Sequence, residues 1–194
     1  MKTPKDYKVV AGTELCGGNA ISADASRALK VITGESRFEA SGEEYTVERA
    51  AAGLVEAWPY PTTGDEDACR VYTPLGTSDV ELRIEWALVE YPTTDDLDPD
   101  FTVLKMGTLA GAKPESAFVR FSCRSERFPN QTQAANVDIH VRRWGMPKPV
   151  DGDDVDALKD AYATVAHSYS LAMAKELGCE KNGGLPEKPV LGPA

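Results

Sequence analysis

Four cysteines carry the most readable chemistry in this 194-residue chain: Cys16, Cys69, Cys123 and Cys179. Zinc sites draw their ligands in closely spaced pairs, and these four are spread along the chain without a C-x-x-C pair. Histidine adds only His140 and His167. The inventory therefore predicts no metal site and no cofactor. An even cysteine count without metal spacing fits two disulfides formed in an oxidising compartment, and the alternative is four buried, reduced thiols. Four cysteines allow three pairings. A helix N-terminus can lower a thiol pKa, but Cys16 in "CGGN" lies six residues before the helix cap Ser22, with Gly17 and Gly18 between. A nucleophilic cysteine also needs a paired histidine, and no pattern nominates one.

The other reactive residue types form no recognisable catalytic pattern. His140 falls on the polar face of a strand and His167 off the apolar stripe of the last helix, and no G-x-S-x-G accompanies them. "DDLDPD" from Asp95 to Asp100 has the charge of a calcium loop. It places Asp100 where the loop needs glycine, so it reads as a solvated acidic turn. "DGDDVD" from Asp151 to Asp156 precedes a helix, whose positive N-terminal end favours carboxylates. The 31 acidic residues leave a carboxylate pair for glycoside hydrolysis open as an alternative function. "CGGN" and "NGGL" lack the lysine and the spacing of phosphate loops. Arg142, Arg143 and Trp144 stand together at a strand end, and an exposed aromatic beside arginines can anchor a partner or ligand.

Charge narrows the partners. The net charge is −10, which repels nucleic-acid backbones and anionic lipid alike. No apolar run reaches the roughly 20 residues of a membrane span. "MKTPKDYKVV" has no apolar signal region, and Glu14 and Leu15 stand where a lipoprotein site has small residues before its cysteine. An exported form is expected to have lost its signal or anchor.

The elements that must position these residues follow from periodicity. Val9 and Val10 suit a sheet edge. Ser22 is the N-cap and Gly34 the stop of a first helix with a stripe of Ala25, Ala28, Leu29 and Ile32. Thr46 caps a second, with Val47, Ala50, Ala51, Leu54 and Trp58 on one side and Pro59 and Pro61 beyond it. Strands follow at "CRVYT" and at "VELRIEWALVEY", where Val80, Leu82, Ile84, Trp86 and Leu88 alternate with wet positions. "TPLGTSD" is the hairpin connection between them. One more strand lies within "FTVLKMGTLA". "AFVRFSC" and "NVDIHVRRW" turn Val119, Phe121, Val137, Ile139 and Val141 inward. A long helix from about Asp153 to Leu177 ends at Gly178, ahead of a Gly/Pro-rich tail at 181–194 expected to be extended or mobile. "YPTTGDED" and "YPTTDDLD" are two similar loops. Separate runs of helices and strands predict a single α+β domain at 1–180. Its antiparallel sheet has four to five strands, covered by two N-terminal helices and one long C-terminal helix.

The stretch "CGGNAISADASRALKVITG", the second cysteine context "CRVY" and the ending "LAMAKELGC" resemble exported actinobacterial proteins of unknown function, many of them lipoproteins. Cys69-Arg70-Val71-Tyr72 lacks the aromatic that the family pattern places directly after Arg70. The resemblance implies an extracytoplasmic α+β domain, with no catalytic residue to carry over. It also implies pairing of the first two cysteines, Cys16 with Cys69, which leaves Cys123 with Cys179. The runner-up joins Cys69 to Cys123 and Cys16 to Cys179. The leading expectation is a non-enzymatic secreted or cell-surface domain that binds a ligand or protein partner at the cell envelope. A secreted carboxylate hydrolase and a purely structural module are the other two readings.

Overall fold

A computed structural model describes residues 5–58, 60, 63–90, 97–145 and 152–194. The two N-terminal helices begin where short hydroxyl side chains can cap them. Ser22 accepts from the Ala25 amide at the start of α1 (Ala23–Thr33), and Thr46 accepts from Arg49 at the start of α2 (Val47–Ala57). Gly34 closes α1 in the left-handed conformation. Pro59 and Pro61, read as the stop of α2, lie outside the described residues.

Six antiparallel strands form the main sheet: β3 (Glu66–Tyr72), β4 (Glu81–Val89), β5 (Thr102–Leu104), β6 (Leu109–Lys113), β7 (Ser116–Cys123) and β8 (Ala135–Arg143), in the order β3-β4-β8-β7-β6-β5. β1 (Val9–Ala11) and β2 (Arg37–Glu39) pair separately, as a two-stranded sheet. The expected four to five strands thus become six, because "FTVLKMGTLA" folds into the hairpin β5–β6 rather than one strand. Gly107 makes that hairpin possible. It adopts φ 59°, and a Cβ there would collide with the Arg120 carbonyl.

One sheet face is the core. Leu82, Ile84 and Leu88 of β4, Val137, Ile139 and Val141 of β8, and Val119 and Phe121 of β7 are buried on it. The cross-strand register sets Trp86 against Ile139 and Ile139 against Val119. The C-terminal helix α3 (Val155–Leu177) lies over β6, β7 and β8, and α2 lies over β3 and β4. α1 packs mainly on α3 rather than on the sheet, so the sheet is covered by α2 and α3 and not by all three helices as expected. This is why α3 is buried without interruption from Ala161 to Ser170. Most of its polar groups there find partners, while the buried Tyr169 Oη has none. Ser168 Oγ donates to Ala20 O and accepts from Ser22 N, and His167 Nε2 donates to the Pro186 carbonyl. No helix among the described residues is long and apolar enough to cross a membrane.

Two disulfides fasten helical segments to the sheet: Cys16 joins Cys69 and Cys123 joins Cys179. Gly17 and Gly18 both take positive φ, which lets the chain turn from Cys16 into α1. After Cys179 the chain makes a short 3-10 helix (Glu180–Gly184), and the rest of the tail runs along the domain with several contacts to it. Glu180 N donates to Arg124 O, Leu185 is buried, Lys188 pairs with Asp24, and Pro193 bridges to Leu104. Ala194 N donates to Val103 O, so the terminus lies along the β5 edge.

Candidate functional site

Period-two alternation sends Glu81, Arg83, Glu85 and Ala87 of β4, and Asp138, His140 and Arg142 of β8, to the sheet face opposite the helices. This face was expected to be wet throughout, yet Glu85 and Ala87 are each only 5% exposed. The register explains the difference. Glu85 stands directly opposite His140, His140 directly opposite Phe118, and Ala87 opposite Asp138. Large side chains on three adjacent strands crowd one another out of water.

Ion pairs organise the face. Arg142 Nη2 donates to Glu85 Oε1 at 2.8 Å, Arg83 Nε to Glu81 Oε1 at 2.8 Å, and Arg70 Nη2 to Asp67 Oδ2 at 2.6 Å. Arg120 Nη2 contacts Asp138 Oδ2 at 3.3 Å. The pairing is incomplete. Glu85 Oε2, Asp138 Oδ1, His140 Nε2 and the Nε atoms of Arg120 and Arg142 are shielded from solvent without a partner. Burial raises the Asp138 carboxyl above its usual range, against the pull of Arg120 and His140. Burial lowers His140, although Asp138, Asp65 and Glu85 act to raise it. Among the described residues, no group of three or more His, Cys, Asp and Glu side chains is arranged to hold a metal ion.

Trp144 closes this face at the end of β8. Its ring is covered by the Arg83 guanidinium, 3.3 Å from the centroid, with Arg142 at 5.2 Å. Arg142 and Trp144 thus meet as expected, and Arg83 joins them. Arg143 does not: alternation turns it to the opposite face, where it lines a separate cleft with Val31, Glu115 and Tyr162. Of the trio Trp144, Arg142 and Arg143, the structure brings Trp144 and Arg142 together with Arg83 and places Arg143 on the other face. The period-two rule already present in "VELRIEW" was the signal that would have separated Arg142 from Arg143.

Beyond Trp144 opens a cleft of about 500 Å³, lined by Glu39, Tyr72, Leu75, Asp79, Glu81 and Trp144 among others. Trp144 is 46% exposed and Leu75 61%. The β3–β4 connection forming its wall is held from several sides. Leu75 N donates to Tyr7 Oη, Ser78 Oγ to the Thr33 carbonyl at the end of α1, and Val80 N to Thr73 Oγ1. Leu75, Glu39 and Asp79 were not anticipated as site residues, because they come together only through the packing of β2 beside the hairpin.

His167, read as lying off the apolar stripe, is instead buried under the tail. Asp154 serves as the N-cap of α3, accepting from Ala157 N. Asp151 and the residues 91–96, which include part of the acidic loop, lie outside the described residues. Asp98 pairs with Lys113 and accepts from the Asp100 amide, an ordinary acidic turn.

The chain matches no protein-family model, no curated protein and no solved structure. The fold and surface define a class only: an α+β domain stapled by two disulfides, with an ion-paired open sheet face that ends in a preformed aromatic cleft.

Proposed function

We propose that this chain is a non-enzymatic extracytoplasmic domain, of the exported actinobacterial kind its cysteine contexts resemble, and that it binds a partner at the cell envelope through the Trp144 cleft. The observation that carries the reading is the exposure of Trp144 and Leu75 across one cleft whose walls are fixed by hydrogen bonds. Large apolar side chains held rigidly in the open suit a contact surface, because little ordering remains to be lost on binding. The two disulfides support an oxidising location.

The hydrolase alternative rests on Asp138, whose carboxyl is raised and which lies beside His140. Against it, the clefts beside Trp144, Arg143, His167 and Leu177 are lined by other residues. One experiment separates the readings. The isotope-labelled domain is followed by nuclear magnetic resonance against fractionated envelope polysaccharide and envelope protein. A fraction that shifts the Trp144 indole N–H and the Leu75–Asp79 amides, with the effect lost in Trp144→Ala, is the expected result. Polymer turnover that disappears in Asp138→Asn would establish the hydrolase instead.

A further inference from the structure

Resting on that reading of the Trp144 cleft, we infer that its occupant is a basic segment of a protein partner that also presents an apolar side chain. The cleft has two chemically distinct sides. Tyr72, Leu75 and Trp144 supply apolar and aromatic surface, and every ionisable group with a charge at neutral pH that lines it is an acid: Glu39, Asp79 and Glu81. Glu81 is already answered, by Arg83 at 2.8 Å and Arg70 at 4.0 Å. Glu39 and Asp79 make no ion pair among the described residues.

The uncompensated charge at the cleft is therefore negative, on a chain whose net charge is −10. Both fields draw in a cation and repel an anion. Arg83 does not reverse this, because its charge is spent on Glu81 and on the Trp144 ring. The shape selects a macromolecular segment over a small amine. A small ligand needs a site that encloses most of its surface. This cleft is open on one side, and it is wide enough, at about 500 Å³, for side chains delivered from a larger body. An apolar side chain against Leu75 and Trp144, with a Lys or Arg reaching Glu39 and Asp79, uses both sides at once.

The test uses short blocked peptides of alternating Lys and Leu, Ser and Leu, and Glu and Leu, titrated into the full chain with the Trp144 indole signal as readout. The Lys-Leu peptide is expected to bind at Trp144 and to weaken as salt rises toward about 0.5 M. Asp79→Asn and Glu39→Gln should each weaken it about two- to fivefold. Glu126→Gln, an exposed acid in the separate cleft beside Leu177, should leave it unchanged. Both carboxylate variants keep side-chain shape, and unchanged melting temperatures verify their folding. Equal or tighter binding of the Ser-Leu or Glu-Leu peptide at Trp144 would overturn the basic-segment inference while leaving a binding cleft. An equal loss in Glu126→Gln would reduce the effect to bulk charge and overturn it as well. If no peptide moves Trp144, the inference fails, and the envelope-fraction experiment decides the cleft's role independently.

Discussion

The Arg83 guanidinium lies 3.3 Å from the centre of the Trp144 ring while its Nε donates to Glu81 at 2.8 Å. One arginine is thus fixed by a carboxylate on its own strand and in turn fixes an aromatic at the end of β8. Arg83→Gln should keep the hydrogen bond to Glu81 and lose the cation over the ring. The expected cost is about 0.5–1 kcal/mol in urea denaturation, the usual worth of an exposed cation–π contact. Line broadening of the Trp144 indole signal should accompany it. A sharp, unshifted signal in the variant would mean that the ring is held by something other than Arg83.

Gly107 marks where one expected strand became two. Its φ of 59° and the Arg120 carbonyl beside it leave no room for a side chain. Thr108 N donates to that same carbonyl, so the oxygen cannot retreat without losing a bond. Gly107→Ala is expected to cost about 1–3 kcal/mol, the usual range for a strained backbone position. A melting temperature equal to the wild type would contradict this account of the β5–β6 turn.

The same position shows what the sequence could and could not reveal. α1 and α2 were legible down to their caps, because Ser22, Thr46 and Gly34 act on neighbouring backbone groups and need no tertiary partner. β4, β7 and β8 were legible because a buried face on one side imposes period two. The β5–β6 hairpin was not, since Gly107 is demanded by Arg120, which is thirteen positions away and belongs to another strand. Neither was the burial of Glu85, which depends on His140 and Arg142 across the register. The site follows the same division. Trp144 and Arg142 are neighbours in sequence and were seen. Arg83, Leu75, Glu39 and Asp79 reach them only after the sheet forms.

Both disulfides close long loops, with partners 53 and 56 positions apart. In the chain-entropy model each restricts the unfolded state by about 4 kcal/mol. Cys16→Ser with Cys69→Ser, and Cys123→Ser with Cys179→Ser, should each lower the urea midpoint strongly, and reduction of the wild type should act on both together. Mass mapping of protein made under oxidising conditions should find no free thiol and the two pairs seen in the structure. Free thiols in that material would also remove the main support for an extracytoplasmic home.

Stability should fall as the medium is acidified from pH 7.5 to 5.5, and the two histidines give the sign. Burial is the main cause that lowers both His140 and His167 from the ordinary value of about 6.5. Around His140, Asp138, Asp65 and Glu85 oppose that shift and Arg142 adds to it. Around His167, the Pro186 carbonyl and Glu187 oppose it, and Lys175 and Lys188 add to it. Between the lowered folded value and the ordinary unfolded one, the unfolded chain holds the proton and the folded chain does not. Acidification through that window therefore favours unfolding. Asp138 and Asp160 act with the opposite sign. Burial raises the Asp138 carboxyl, and partial desolvation with the neighbouring Asp156 and Asp154 charges raises that of the exposed Asp160, so the folded chain takes up protons first and gains stability as pH falls toward the ordinary carboxylate range. The histidine loss comes at the higher pH, and the carboxyl gain offsets it lower down. His140→Gln combined with His167→Gln should flatten the slope of melting temperature against pH between 7.5 and 5.5. In that background the residual trend should be level or reversed, as Asp138 and Asp160 dictate. A double variant that loses stability on acidification as steeply as the wild type would show that neither buried imidazole resists its proton.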